Sequence, residues 1–240
     1  LPLFREKVNG YLDRLFVQHP DSLKPAIDHI ATMASANEET YKYLIWMLTL
    51  KYQSPSVMGL DALFVHLYDT YYATGEMDSW ANAQLKKNLE EFAGQLRNSL
   101  IGSSAPNMIM LDENLQKKSL YDIKNKFTLI YFFDPDCSHC KRATPVLDQI
   151  YDSGKFDLEI YAVSADTSMV KMKKYIQDMN LSWITVNGPR SETAPYYTLY
   201  DAMTTPTIYI LDDKKKIIAK KLPAERIEEF LTRYSSTTAN

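Results

Sequence analysis

Cysteine is scarce in this chain of 240 residues, which contains only two, Cys137 and Cys140. So low a count excludes small disulfide-rich scaffolds and proteins that bind several metal ions through thiolates. The sequence also lacks an excess of charge of one sign, because 27 Lys and Arg residues nearly balance 30 Asp and Glu residues. A net charge of −3 provides no basic field, so we expect no nucleic-acid partner.

Long hydrophobic runs are missing as well. The apolar stretches 44–48 (LIWML) and 129–133 (LIYFF) are far shorter than the roughly 20 residues of a membrane span, so none is expected. The hydrophobic content of 45% still suffices for a sizeable core, in one large domain or two small ones. The sequence begins at Leu1 without methionine, which predicts a trimmed chain and leaves room for a signal peptide or lipid anchor before residue 1.

The first hundred residues carry the pattern of helices only. In the last predicted helix, apolar side chains recur at spacings of three and four and form one stripe. Asn37 is a favourable N-cap for the third. The predicted helices cover residues 3–17, 22–35, 37–53, 59–75 and 78–102. We therefore expect an all-helical domain over residues 1–101, to which the sequence assigns no role.

The pattern changes to alternating strands and helices after the segment 102–107 (GSSAPN), which has the composition of a domain boundary. Strand–helix–strand units followed by a hairpin and a helix predict a mixed sheet with helices on both faces over residues 102–240. The fold class is thus α/β, preceded by an all-α domain. A short hairpin is predicted first, followed by strands 127–133, 158–165 and 183–186, helices 138–152 and 168–180, a second hairpin within 205–222 and a helix from Pro223.

The two cysteines lie between a predicted buried strand and a helix, in the segment 132–145 (FFDPDCSHCKRATP). A bridge between Cys137 and Cys140 would close so short a loop that it would stabilise the fold little, so chemistry is the better explanation. At the first turn of a helix, the helix dipole and free amides favour a thiolate at Cys137. Cys140 lies one turn further on, where its sulfur can resolve a mixed disulfide formed by the first.

Two other interpretations of the pair are weaker. An inert structural disulfide, or a chance pair, does not explain the position between a strand and a helix. A zinc site built from Cys137, His139 and Cys140 lacks a fourth ligand and would crowd three ligands onto one helical turn. We therefore predict no metal site.

Combined with two prolines, this arrangement resembles the thioredoxin superfamily, specifically the TlpA/ResA-like thiol–disulfide oxidoreductases of the bacterial envelope. The resemblance covers residues 103–234. Pro145 lies where the family carries a helix-kinking proline, and Thr205–Pro206 lies where it carries a cis-proline opposite the disulfide. The helical first domain likewise resembles a poorly characterised domain that precedes such folds in bacterial envelope proteins.

The resemblance implies that Cys137 is the attacking nucleophile and Cys140 the resolving thiol. It also implies that Thr205 and Pro206 bind the substrate chain, and that no cofactor is needed beyond the redox-active disulfide. The expected partners are protein thiols or disulfides and an upstream redox partner, in the bacterial periplasm or cell envelope. Reduction is the family's commoner direction, so we expect an envelope reductase. The alternatives are an oxidase or isomerase of protein disulfides, and a redox-inactive scaffold that binds partners on the same fold.

The residues around the pair are expected to tune its redox potential. Ser138 and His139 lie between the cysteines, and a hydrogen bond or charge from His139 to the nucleophilic sulfur would make the disulfide more oxidising. Asp134 and Asp136 would act in the opposite direction. Because His139 is the nearest of these groups, we expect a slight oxidising shift.

Three positions depart from the patterns of related families. Thioredoxins usually carry a buried aspartate where this sequence has Tyr131, and ResA-like proteins carry an acidic residue where it has Ala143. The proton acceptor for Cys140 is therefore open between a water molecule and Asp134. Peroxiredoxins carry a threonine three residues before the reactive cysteine, where this sequence also has Asp134, so a peroxidase is not favoured.

Overall fold

The structure is a computed structural model that describes residues 2–237. The chain divides into two compact units, Leu1–Leu100 and Ile101–Asn240. The first unit is helical and the second is built on a mixed sheet, so the predicted fold class is confirmed. Of the helices within residues 2–237, none combines the length and the apolar character needed to cross a bilayer.

The helical unit contains five α-helices in its described part, and a π-helical turn, Tyr68–Tyr72, continues the fourth. Their bounds are Pro2–Leu15 (α1), Pro20–Ala34 (α2), Glu38–Gln53 (α3), Ala62–Leu67 (α4) and Ala83–Asn98 (α5). Asn37 caps α3 as predicted, by accepting a hydrogen bond from the Thr40 amide (2.9 Å). The helix predicted to begin at residue 78 begins at Ala83, because Asn82 caps it through the Leu85 amide (2.8 Å).

The apolar stripes of these helices meet in one core. Leu12, Ile27, Leu48 and Leu96 are fully buried there, and each contributes roughly 1.5–3 kcal/mol relative to an exposed position. Phe64 is also fully buried, and its ring meets an aromatic ring of α5 edge-on, with 4.9 Å between ring centroids. Helix packing, rather than a bound group, therefore accounts for the apolar and aromatic pattern of this unit.

The sheet of the second unit has seven strands in the part of the chain that the structure describes, in the order β2-β1-β5-β4-β3-β6-β7. Its strands are Ile109–Asp112 (β1), Lys117–Ser119 (β2), Phe127–Phe133 (β3), Leu158–Ser164 (β4), Ile184–Ser191 (β5), Thr207–Leu211 (β6) and Ile217–Lys220 (β7). β3 runs parallel to β4 and antiparallel to β6, and all seven of its residues are buried. An uninterrupted apolar run is what a strand covered on both faces requires. β3 is therefore the inner strand that carries the chain to the cysteine pair.

Within the described residues, four α-helices accompany the sheet: Ser138–Asp152 (α6), Met169–Asp178 (α7), Tyr196–Leu199 (α8) and Ile227–Thr237 (α9). The crossovers β3–α6–β4 and β4–α7–β5 step across the sheet in the same direction, and right-handed crossovers then put both helices on one face. Side chains of α6, α7 and α9 fill the core on that face, together with Tyr131 and Phe133 of β3. The opposite face is covered by α8, which was not predicted, and by the segment that leads into β1.

Gly188 in β5 allows a close approach between strand and side chain, which yields a stability prediction. A β-carbon at this position would lie 2.8 Å from the Tyr196 ring and 3.0 Å from the Ser164 carbonyl oxygen. We expect Gly188→Ala to destabilise the protein by about 1–3 kcal/mol, because the backbone oxygen cannot yield easily. Urea unfolding should show a lower midpoint.

Gly94→Ala provides the matched control. It adds the same methyl group within α5, where no described atom beyond the neighbouring residues and the backbone of that helix lies within 4 Å. Because glycine is a poor helix former, this variant should be stabilised by about 0.5–1 kcal/mol. Equal effects of the two substitutions would contradict the steric explanation.

Candidate functional site

A tight turn carries the chain from β3 into α6. The Cys137 amide donates to the Asp134 carbonyl oxygen (3.1 Å), and the Asp136 amide donates to the Asp134 side-chain oxygen Oδ1 (2.7 Å). Pro135 occupies the second position of this turn, where its fixed φ is favourable. The turn therefore places Cys137 at the entry of the helix, at the end of the inner strand.

Cys137 is the N-cap residue of α6. Its backbone is extended, and its sulfur accepts a hydrogen bond from the Cys140 amide at 3.3 Å. The first amides of a helix have no partner within the helix, and an N-cap side chain commonly accepts from the amide three residues on. The spacing of the two cysteines is thus the spacing of a cap and the amide that it satisfies. This geometry favours negative charge on the Cys137 sulfur.

The segment before β6 lies beside the same sulfur. The Cys137 thiol donates to the Thr205 carbonyl oxygen at 3.4 Å, and the Thr205–Pro206 peptide bond is cis. Pairing of β6 with β3, with Phe132 opposite Thr207, brings the two segments together. Thr205 and Pro206 are both partly exposed. The structure therefore brings four sequence-predicted residues into one site.

The two thiols differ in exposure and in acidity, and both are free in this structure. Cys137 is partly exposed. Its partial burial acts to raise the pKa of the thiol, but hydrogen bonds from Cys140, Thr205 and the His139 backbone amide outweigh this effect and lower the pKa below its ordinary value. Cys140 is fully buried, and burial raises the pKa of its thiol to about 11. Cys137 is therefore the more acidic and the more exposed of the two thiols, and Cys140 is a buried, less acidic thiol.

Ser138 and His139, the residues between the cysteines, are both exposed. Nδ1 of the His139 ring lies 2.8 Å from the Arg142 guanidinium. Since arginine can only donate, this nitrogen accepts and carries no hydrogen. His139 helps to lower the pKa of the Cys137 thiol through its backbone amide.

A lysine that sequence reasoning did not single out lies beside the turn. The Lys171 ammonium contacts Asp136 (2.6 Å) and Asp166 (3.1 Å), and these carboxylates raise the pKa of the lysine. The side-chain oxygens of Asp134, Asp136 and Asp166 all lie within 4.8 Å of one another, as oxygen ligands of a metal would. Because the ammonium bridges two of them, it offsets the acidic charge that the sequence placed next to Cys137.

Tyr131 also contacts Cys140, and the sequence assigned Tyr131 no role in the site. Its buried hydroxyl donates to the Cys140 carbonyl oxygen at 3.2 Å and lies 3.0 Å from the Thr144 hydroxyl. The one sequence signal was its position six residues before Cys137, where thioredoxins usually carry an aspartate. Ala143, the other position that departs from the family pattern, is buried in α6, the helix that contains Cys140.

A family model described as the AhpC/TSA family matches residues 101–220, which is half of the chain. The chain belongs to the AhpC/TSA family. Among its curated relatives, the thiol-disulfide oxidoreductase ResA of Bacillus thuringiensis subsp. konkukian (strain 97-27) is 26% identical to this chain over 135 residues. The match covers 56% of this chain and 76% of the relative.

Solved structures agree with this assignment. A domain of a possible thiol-disulfide isomerase from Cytophaga hutchinsonii ATCC 33406 is 31% identical, with a TM-score of 0.53 over 58% of this chain and 96% of that one. A thioredoxin-like protein from Bacteroides caccae ATCC 43185 covers 87% of this chain and 76% of its own, with a TM-score of 0.71, and at 18% identity it shows the fold alone. The predicted kinship with ResA-like oxidoreductases is confirmed. These matches group the AhpC/TSA protein with thiol–disulfide oxidoreductases of the thioredoxin superfamily.

The unequal acidity of the two thiols in this AhpC/TSA protein predicts an order of alkylation. Between pH 6 and 9, iodoacetamide should modify Cys137 first, because only the thiolate reacts and the pKa of Cys137 is lowered. Cys140 should titrate near its raised pKa of about 11. Peptide mass spectrometry across this pH range measures both rates.

The single variants make the comparison independent of competition. In Cys137→Ser, Cys140 should stay less acidic than an ordinary thiol, because burial, the largest cause of its raised pKa, persists. In Cys140→Ser, Cys137 should remain the fast thiol. Faster alkylation of Cys140 than of Cys137 at pH 7 would refute the assignment of nucleophile and resolving thiol.

Proposed function

We propose that this protein is a thiol–disulfide reductase of the bacterial cell envelope that acts on disulfides of other proteins through Cys137 and Cys140. The observation that carries the proposal is the asymmetry of the pair. One sulfur is partly exposed at a helix N-cap, and the other is fully buried one turn along the same helix. We assign this chemistry to the predicted domain 102–240, and the domain 1–101 is left without a catalytic role.

The first step is attack by the Cys137 thiolate on one sulfur of a substrate disulfide. A bond forms between the two sulfurs, the substrate disulfide breaks, and the second substrate sulfur leaves as a thiolate that takes up a proton. The Cys140 amide, which donates to the Cys137 sulfur at 3.3 Å, stabilises the attacking thiolate. The product is a mixed disulfide between Cys137 and the substrate.

In the second step Cys140 releases the substrate. Its thiol loses a proton, its sulfur attacks the Cys137 sulfur, and the substrate leaves as a second thiol. Two electrons have then passed from the dithiol to the substrate disulfide, and a bridge joins Cys137 and Cys140. An upstream redox partner must reduce this bridge, and no bound cofactor takes part.

Thr205 and Pro206 are proposed to bind the substrate chain beside the reacting sulfurs. Both are partly exposed, and the Thr205 carbonyl lies 3.4 Å from the nucleophilic sulfur. Among residues 2–237, the Thr205 amide donates to no protein group. An extended substrate segment can therefore pair with the Thr205 backbone as it would with the edge of a sheet.

Ser138 and His139 are proposed to tune the redox potential, through the first-turn amides and the surface charge beside them. His139 contributes its backbone amide to the stabilisation of the thiolate, and its ring is bonded to Arg142. We place the reaction in the periplasm or cell envelope because ResA-like proteins, which this chain resembles, act there. Membership of the thioredoxin superfamily supports this function, and the direction of electron flow is our proposal.

The reductase activity can be tested by insulin reduction with dithiothreitol. We expect the protein to accelerate precipitation of the insulin B chain severalfold over the uncatalysed reaction, because the activated Cys137 thiolate attacks faster than a free thiol. Cys137→Ser should return the rate to background. Cys140→Ser makes the same chemical change three residues away. Reduced and mixed with insulin without dithiothreitol, it should accumulate a mixed disulfide, visible on a non-reducing gel.

Equal rates of insulin reduction by the wild-type and Cys137→Ser proteins would contradict the enzymatic function. A redox-inactive scaffold that binds partners would then be the better explanation. That result would be decisive only with both proteins folded, so each is compared by circular dichroism at the assay temperature.

The equilibrium potential against glutathione tests the direction. A reductase should have a midpoint below about −180 mV, towards the thioredoxin end of the family range, which runs from about −270 to −120 mV. The raised pKa of Cys140 supports this expectation, because a protonated resolving thiol does not stabilise the reduced form as a second anion would. A midpoint near −120 mV would instead indicate an oxidase of protein thiols.

A further inference from the structure

Three hydroxyl groups form a buried chain behind the cysteine pair. The Tyr131 hydroxyl lies 3.2 Å from the Cys140 carbonyl oxygen and 3.0 Å from the Thr144 hydroxyl. The Thr144 hydroxyl lies 2.7 Å from the Tyr175 hydroxyl. All three side chains are buried, and they belong to β3, α6 and α7. This series of hydroxyl groups thus connects β3, α6 and α7 beside Cys140.

The number of available hydrogens allows only one direction of donation along this series of hydroxyl groups. The Cys140 carbonyl can only accept, so Tyr131 uses its single hydroxyl hydrogen there. The contact between Tyr131 and Thr144 must then use the Thr144 hydrogen, and the contact between Thr144 and Tyr175 must use the Tyr175 hydrogen. Donation therefore runs from Tyr175 through Thr144 to Tyr131. Each donor in such a series polarises the next, which strengthens the last donor, Tyr131.

This series donates hydrogen bonds and does not act as a base. Burial raises the pKa of the Tyr131 and Tyr175 hydroxyls above the ordinary value of 10.0. Both hydroxyls therefore keep their hydrogens near neutral pH. Besides burial, the groups that shift the pKa of the Cys140 thiol are the Asp134 backbone amide and Thr205, which lower it, and Cys137, which raises it. No carboxylate is among these groups.

We propose that Tyr131 is a positioning residue for the resolving step, in which the terminal hydroxyl of the series donates to the Cys140 carbonyl oxygen and so fixes the helical turn that carries the Cys140 sulfur. This inference rests on the function proposed above and identifies which group assists its second half. Thr144 and Tyr175 support Tyr131 by holding its oxygen as an acceptor, which directs its hydrogen to Cys140.

The step is balanced without an added reactant. The Cys140 thiol gives up its proton to water, and its sulfur attacks the Cys137 sulfur of the mixed disulfide. The bond between Cys137 and the substrate sulfur breaks, the substrate thiolate takes up a proton, and the bridge between Cys137 and Cys140 forms. Tyr131 keeps its own proton throughout and donates a hydrogen bond to the Cys140 carbonyl oxygen.

A two-phase thiol assay separates the two halves of the reaction. One equivalent of 5,5′-dithiobis(2-nitrobenzoate) added to the reduced protein should release one nitrothiobenzoate ion as Cys137 attacks. A second should follow as Cys140 resolves the mixed disulfide. We expect Tyr131→Phe to slow the second phase about tenfold, because the hydrogen bond that positions the Cys140 turn is lost, and to change the first phase less than twofold.

Two further variants keep the outcome decisive. Tyr161→Phe is the matched control, because its buried hydroxyl bonds backbone carbonyls, at 2.9 Å for Lys118, on the face away from α6. It should leave both phases within twofold of wild type. Thr144→Val removes the middle hydroxyl at nearly constant volume and should slow the second phase by a smaller factor. If Tyr131→Phe does not fold, Thr144→Val tests the role of the hydroxyl series in its place.

The outcomes distinguish this inference from the proposed function. Cys140→Ser should lack the second phase, and a first phase that persists in Cys137→Ser would remove the function itself. With both phases present in the wild type, an unchanged second phase in Tyr131→Phe would overturn the role of Tyr131 alone. Equal slowing of both phases, or equal slowing by Tyr161→Phe, would also overturn it, because a general loss of packing would then suffice.

Discussion

The hydrogen bond from the Cys140 amide to the Cys137 sulfur is the interaction on which the site depends. It satisfies an amide that the helix itself leaves unpaired, and it fixes the spacing of the two cysteines at the distance from a cap to the third helical residue. The same bond stabilises negative charge on the sulfur. A requirement of helix formation and a requirement of thiol chemistry are thus met by one contact, provided that β3 delivers the chain to this point.

The difference between the two thiols follows from the layers around them. Cys137 lies just beyond the carboxyl end of β3, where it is partly exposed to solvent, whereas Cys140 lies in the core beneath α6. The core at that point is not wholly apolar, since hydroxyls from β3, α6 and α7 meet there. The Cys140 thiol is buried, and no carboxylate is among the groups that shift its pKa. The fold therefore favours the neutral form of this thiol.

Local signals were sufficient for the elements that carry the cysteines. β3 and α6 were predicted to the residue, because a seven-residue apolar run fits only a buried strand and because the turn after it has a distinct composition. β5 extends beyond its prediction to Ser191 because it pairs with β1, more than seventy residues earlier in the chain. The contacts of Lys171 with the turn, and of Tyr175 with Thr144, also join distant segments. Periodicity within a window of the sequence carries no information about such pairs, whereas the turn and the cap are local.

In the proposed reaction the Thr205 carbonyl oxygen has two potential partners. In the resting dithiol it accepts the hydrogen of the Cys137 thiol. Ionisation would remove that hydrogen and leave a lone pair facing an anion, an unfavourable arrangement that a peptide amide of the proposed substrate would relieve. Deprotonation of Cys137 and binding of the substrate backbone would then be linked, because both depend on which hydrogen this one oxygen accepts.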